Sequence, residues 1–171
     1  MVSVLETVAT IDDLELTRAR DAVTAVLDPE VPVLTLADLG VLRGIVRRAG
    51  IIVVTLTPTY TGCPATAVIQ FHVETALLDA GIENSRVETV LSPPWTTDDM
   101  TDAGRAKLKA YGIAPPGRGA PVALFENETV PCPRCNSAHT TKISEFGSTA
   151  CKAQWRCDGC REPFEYFKCH R

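Results

Sequence analysis

The sequence predicts a mixed α/β (α+β) fold in two parts: a compact helix–hairpin–helix–strand–helix domain, then a small all-β tail. Three observations carry this. Apolar residues alternate between helical and strand spacing through roughly the first two thirds of the chain. A stiff run, Pro115-Pro116-Gly117-Arg118-Gly119-Ala120-Pro121, then interrupts the pattern. Beyond it, six of the seven cysteines fall within residues 132–169. The expected division is a domain over residues 1–113, a linker over 114–130 and a cysteine-rich tail over 131–171.

Asp12 or Asp13 offers an N-cap to a helix beginning near Leu14, with Leu16, Ala19, Val23 and Val26 or Leu27 as its apolar stripe. Asp28-Pro29 stops it, and two prolines make Asp28 to Val33 an extended or turning loop. Val41 to Val46 and Ile51 to Leu56 read as two strands of a hairpin joined at Arg47-Arg48-Ala49-Gly50. Pro64 suits the first position of a helix running to about Ala80, closed by Gly81, with Ile69, Val73, Leu77 and Ala80 facing inward. Arg86 to Leu91 is a third strand, and Asp98 to Ala110 a last helix. This is too short for a doubly wound dinucleotide fold, and no glycine-rich phosphate fingerprint occurs. Val122 to Phe125 reads as a short strand leading into the tail.

Hydrophobic residues make up 45% of the 171, enough to build a core rather than a disordered chain. Residues 1–131 carry 10 basic and 17 acidic side chains, whereas residues 132–171 carry 7 and 4. An acidic first domain and a weakly basic tail argue against nucleic acid as a partner. There is no apolar run long enough for a transmembrane helix, and Met1 to Glu6 lacks the basic start and apolar block of a secretory signal. The expected compartment is the cytoplasm.

The tail contains Cys132-Pro133-Arg134-Cys135 and Cys157-Asp158-Gly159-Cys160. Two Cys-x-x-Cys knuckles at this separation can bring four thiolates to one tetrahedral zinc ion. Lys142 to Phe146 and Ala153 to Arg156, flanking Gly147-Ser148, look like the hairpin of a zinc ribbon. A tail this short needs such a staple, because it cannot bury much apolar surface. A structural zinc without chemistry is one reading of it.

Cys151, Cys169 and His170 are further potential ligands. Either the two cysteines are small buried side chains, or some of these residues, with Cys63, hold iron or an iron–sulfur cluster transiently. Cys63 is expected at or beside a helix N-cap, where backbone N–H groups would favour a thiolate. It is equally a packed thiol that happens to precede a helix. Asp28 and Glu30 either supply carboxylates near a site or cap their own turn. Trp95 is expected in the core more readily than at a partner surface. Three histidines, His72, His139 and His170, form no Glu-x-x-His pair, so the chain lacks the ligand pattern of a helical di-iron site. No hydrolase or protease signature is present. An independent active site is not expected.

The motifs Asp28-Pro29-Glu30, Asp38-Leu39-Gly40 and Thr57-Pro58-Thr59 through Gly62-Cys63-Pro64 resemble those of SufT-like iron–sulfur assembly proteins, which include eukaryotic cytosolic targeting factors. The resemblance makes Cys63 the reactive or cluster-related cysteine. From about residue 14 onward the chain is more specifically similar to the PaaD (PaaJ) family of phenylacetate degradation. The matching stretches are Leu91 to Thr97, Tyr111 to Pro116, Ile143 to Lys152, and Glu162-Pro163-Phe164 with Tyr166 to His170. That resemblance implies an accessory or maturation role in the multicomponent ring-1,2-phenylacetyl-CoA epoxidase, which uses oxygen and NADPH. Its implied partners are a helical di-iron oxygenase subunit and an iron–sulfur flavin reductase subunit. A fixed structural or regulatory subunit and an independent thiol enzyme are the competing readings. A homodimer is left open.

Overall fold

The sequence folds around a short mixed sheet with a second sheet beside it, in a computed structural model that describes residues 11–119 and 129–168. Helix α1 (Ile11–Thr24) begins three residues before the expected start, so Asp12 and Asp13 lie in its first turn rather than capping it. Its Ala19 and Val23 are fully buried. The loop after it closes on itself, with Asp28 N–H donating to Leu34 O and Leu36 N–H to Val26 O, both at 2.9 Å.

A four-residue helix not foreseen in the sequence, α2 (Leu36–Leu39), starts with a reciprocal cap between Thr35 and Asp38. Gly40 ends it at φ 76°, and a Cβ there would lie 2.1 Å from Asp99 O. The hairpin forms as expected: β1 (Leu42–Arg48) and β2 (Ile51–Leu56) pair antiparallel. Ala49 at φ 49° and Gly50 at φ 80° make the turn between them.

Helix α3 (Thr66–Asp79) crosses over to β3 (Ser85–Thr89), which pairs parallel with β2, giving the sheet order β1-β2-β3. Helices α1 and α3 pack together against this sheet, and Val73 and Leu77 are fully buried between them. The expected last helix is split. A single 3₁₀ turn, Thr97–Asp99, precedes α4 (Asp102–Tyr111). Thr101 breaks the two because its hydroxyl accepts from Gly104 N–H at 2.9 Å, starting a new helix.

The second sheet has the order β4-β7-β6-β5, from β4 (Ile113–Ala114), β5 (Thr140–Ser144), β6 (Lys152–Cys157) and β7 (Pro163–Phe167). The ribbon hairpin β5–β6 matches expectation. Strand β7 was not expected, although Phe164-Glu165-Tyr166 alternates as a strand does. β4 follows α4 directly and pairs with β7, so the chain leaving the first helical layer becomes an edge of the tail's sheet.

The apolar interior joins the two parts. Phe167 and Cys151 of the tail belong to the same buried cluster as Val54, Leu77 and Trp95. Phe167 meets Trp95 edge-on, with ring centroids 6.2 Å apart, and Trp95 Nε1 donates to Leu39 O at 2.8 Å. Trp95 is therefore a core residue. Burying a side chain such as Phe167 is worth roughly 1.5–3 kcal/mol, a large share for so small a tail. The expected strand at Val122 to Phe125 lies outside the described residues.

Gly40 and Gly50 separate two penalties. Gly50→Ala meets nothing within 4 Å and carries the left-handed backbone cost alone, about 1–2 kcal/mol. Gly40→Ala adds the backbone clash with Asp99, so it should destabilise by clearly more than Gly50→Ala in urea unfolding. Equal losses would show that the α2–Asp99 contact is not tight.

Candidate functional site

Two sets of cysteines gather in different places. The four knuckle cysteines, Cys132, Cys135, Cys157 and Cys160, place their sulfurs within 4.8 Å of one another. Cys132 and Cys160 stand 3.8 Å apart, and Cys135 and Cys157 stand 3.5 Å apart. A tetrahedral zinc with bonds near 2.3 Å would need sulfurs about 3.8 Å apart, so the set fits that ion. Each knuckle is bent by a residue in the left-handed region, Asn136 at φ 60° and Arg161 at φ 65°. Asn136 N–H donates to Cys132 O at 2.9 Å, and Cys160 N–H donates to Cys157 Sγ at 3.4 Å. That backbone bond, with further hydrogen bonds from Cys135, the Cys160 side chain and Gly159, lowers the pKa of the Cys157 thiol. His139 is exposed and is not one of the four, though its carbonyl accepts from Asp158 N–H.

The second set lies where the tail meets the first domain. A cavity of about 20 Å³ is lined by Asp28, Glu30, Thr59, Cys63, Cys151 and Phe167, among others. Cys63 comes from the loop before α3, Asp28 and Glu30 from the loop after α1, and Cys151 from the residue before β6. Cys169 and His170 lie outside the described residues.

Cys63 departs from its expected setting. The helix begins at Thr66 with Ala65 at the cap, so Pro64 is not its first residue and Cys63 precedes the cap. Cys63 O instead accepts from Thr66 N–H at 3.3 Å and from its hydroxyl at 2.9 Å. Burial pushes the Cys63 thiol up, against the pull of the Ala65 N–H and the Thr66 hydroxyl, with smaller upward pushes from the charges of Glu30 and Asp28. The expectation that the helix start favours a resting thiolate is therefore corrected: desolvation outweighs the helix end, and the nearby acids add to it.

Cys151 is 4% exposed and donates to Glu30 Oε2 at 3.3 Å, with the Thr149 hydroxyl 3.1 Å from its sulfur. Burial and the Glu30 charge push this thiol up to about 12. Asp28 fills both roles left open for it. Its Oδ1 accepts from the N–H groups of Glu30 and Val31, each at 2.8 Å, and its carboxylate also lines the cavity. Burial raises its pKa despite those two bonds.

Lys152, which the sequence reading missed, holds this arrangement together. It is 4% exposed; its Nζ donates to Glu30 O at 3.2 Å and faces Glu165 Oε2 at 3.4 Å. A lysine beside a cysteine gives no local signal of burial, and its partner Glu30 lies 122 residues away. His72 is half-buried on α3 beside Phe71; it lines neither the Cys63 cavity nor the knuckle cluster, but shares a neighbouring open pocket with Asp28.

Comparison with known proteins matches both parts. A family model described as an iron–sulfur cluster assembly protein matches residues 16–92, and one described as the PaaD zinc beta ribbon domain matches residues 118–168. A protein of Escherichia coli (strain K12), provisionally named as one of the subunits of 1,2-phenylacetyl-CoA epoxidase, is 51% identical over 142 residues. The match covers 83% of this chain and 86% of that one.

The chain belongs to the PaaD family.

Its first domain is also similar to an Fe-S protein maturation auxiliary factor of Bacillus subtilis (strain 168), YitW. That protein is 34% identical over 89 residues, which is 51% of this PaaD-family chain and 86% of the relative. A crystal structure of a domain of unknown function from Bacillus anthracis shares the fold. It has a TM-score of 0.51 and 24% identity, and covers 56% of this chain and 92% of its own.

The raised pKa of Asp28 sets a pH dependence. A carboxyl with a folded pKa above its unfolded value of about 3.9 favours folding most at low pH, and that advantage is lost as pH rises through the folded pKa. Asp28→Asn keeps an oxygen for both N–H groups and removes the buried charge. The variant should match or exceed the wild type in urea stability at pH 7, with any excess shrinking toward pH 4. A variant clearly less stable at pH 7 would show that the charged form is favoured in the fold.

Proposed function

We propose that the chain is an accessory maturation factor of the multicomponent ring-1,2-phenylacetyl-CoA epoxidase and assists assembly of its iron or iron–sulfur centres in phenylacetate catabolism. The observation that carries this reading is the meeting of Cys63 and Cys151 with Asp28 and Glu30 at one small cavity in a domain of the iron–sulfur assembly family. Two thiols beside carboxylates make a donor set that suits a transition metal, and metal binding itself displaces the thiol protons. In this reading the di-iron chemistry belongs to another subunit, and this chain carries no Glu-x-x-His pair of its own.

In this reading Cys132, Cys135, Cys157 and Cys160 hold a structural zinc, and Cys63 is the handover thiol. Receiving partners are the di-iron oxygenase subunit, the iron–sulfur flavin reductase subunit, or both, and the work takes place in the cytoplasm. Among the described residues no helix is long and apolar enough to cross a membrane.

A second reading, a permanent subunit of the oxygenase complex, draws on the pairing of β4 with β7, which ties the tail firmly to the first domain. Co-expression distinguishes the two. The oxygenase and reductase subunits would be purified from cells with and without this protein, and their iron and acid-labile sulfide measured per chain. Under the maturation reading the metal content falls severalfold without it, and wild type restores it while Cys63→Ser does not. Complete iron, sulfide and epoxidation without it would end the maturation reading. A stoichiometric complex that persists through purification, with metal content independent of Cys63, would favour the permanent subunit.

A further inference from the structure

We propose that Cys63, Cys151 and Glu30 bind a single divalent transition-metal ion, with the tail contributing one ligand, so that the ribbon is a working part of the site. This deepens the maturation reading and rests on it for the identity of the cargo, ferrous iron.

The geometry supplies the space and the donors. The cavity between these residues, at about 20 Å³, has room for one water-sized occupant. Two sulfurs and a carboxylate oxygen suit ions of borderline softness such as Fe²⁺, Co²⁺ and Zn²⁺ rather than Ca²⁺ or Mg²⁺. Glu30 already touches Cys151 at 3.3 Å across 121 residues of sequence. The charge balance points the same way. Asp28 and Glu30 both line the cavity, while the nearby cations are also engaged elsewhere, Lys152 by Glu165 and Lys168 by Glu145 O. A bound dication would offset the acids that now crowd the two thiols.

The site is not closed in advance. Among the described residues, only the knuckle cysteines bring three or more such donor atoms within 4.8 Å of one another. Closure requires rotation of Cys63 and of the flexible Glu30 side chain toward the ion. Binding replaces two S–H protons with two metal–sulfur bonds and releases both protons, with no change in oxidation state. Asp28, Glu30, Lys152, Lys168 and Tyr60 face these thiols and set how readily the protons leave. With three protein donors, a fourth position remains for water or for a side chain of the receiving protein.

The two metal centres are mechanically linked. Strand β6 spans Lys152 to Cys157, so Cys151 precedes one end and a knuckle cysteine forms the other. Fixing the knuckles fixes the strand that presents Cys151.

The full chain, reduced, anaerobic and carrying one zinc, would be titrated with Co²⁺. We expect one further Co²⁺ per chain, with zinc retained and near-ultraviolet charge-transfer absorption equal to two thiolates. Cys63→Ser and Cys151→Ser should each halve that absorption and weaken binding at least tenfold. Glu30→Gln should weaken binding and leave the absorption per ion unchanged. Lowering the pH by one unit should weaken binding about 100-fold if two protons leave. Retained zinc and far-ultraviolet circular dichroism report folding. If Cys151→Ser fails that check, Cys63→Ser and Glu30→Gln carry the test from the other side of the cavity. No second Co²⁺, or absorption unaffected by losing Cys151 in a folded variant, overturns the site. If this happens while co-expression still shows loss of iron without the protein, the site fails and the maturation reading stands. An intact Co²⁺ site with a fully loaded oxygenase made without the protein removes the maturation reading instead.

Discussion

The contact between the tail and the first domain governs the rest of the structure. A tail this small cannot hold itself by apolar burial. It has two supports, the four-cysteine cluster at one end of β6 and the first domain's core at the other, where Cys151 and Phe167 enter. Trp95 is fixed by its bond to Leu39 O and gives Phe167 a rigid face to pack against. Lys152 completes the junction by reaching Glu30 on one side and Glu165 on the other. The same contact that stabilises the tail therefore carries a thiol to the cavity where Cys63 lies.

That junction holds groups which a purely structural interface would avoid. Asp28 is buried at a cost, as its raised pKa records, and Cys151 gives its proton's hydrogen bond to a second acid. Apolar residues of similar size would remove these penalties, since desolvating a carboxylate costs more than its two backbone hydrogen bonds return here. Two acids and two thiols kept together at a domain junction are what a metal-handling role would require, and such sites commonly cost stability. Their raised thiol pKa values also suit release as well as capture, because metal must compete with protons at neutral pH.

Much of the first domain was legible because local patterns sufficed. Ile69, Val73 and Leu77 marked one face of α3, and Ala49-Gly50 supplied the two left-handed residues that a tight hairpin needs. What local pattern missed has a local cause as well. The short helix α2 is barely one turn long, too short to repeat an apolar stripe, and rests on the Thr35–Asp38 cap. The cap at Thr101 split a helix whose composition looked continuous, and the start of α3 fell two residues later than Pro64 suggested.

The sequence by itself determined the four-cysteine cluster, because each knuckle closes within a few residues and its spacing constrains the geometry. It also determined the α+β class and the resemblance to the PaaD family. Only the tertiary structure decided the surroundings of Cys63. The acids that raise its pKa come from another loop, and Cys151 comes from the far part of the chain. Desolvation and electrostatic coupling depend on distance through space, and the 121 residues between Glu30 and Cys151 carry no trace of the 3.3 Å that separates their side chains.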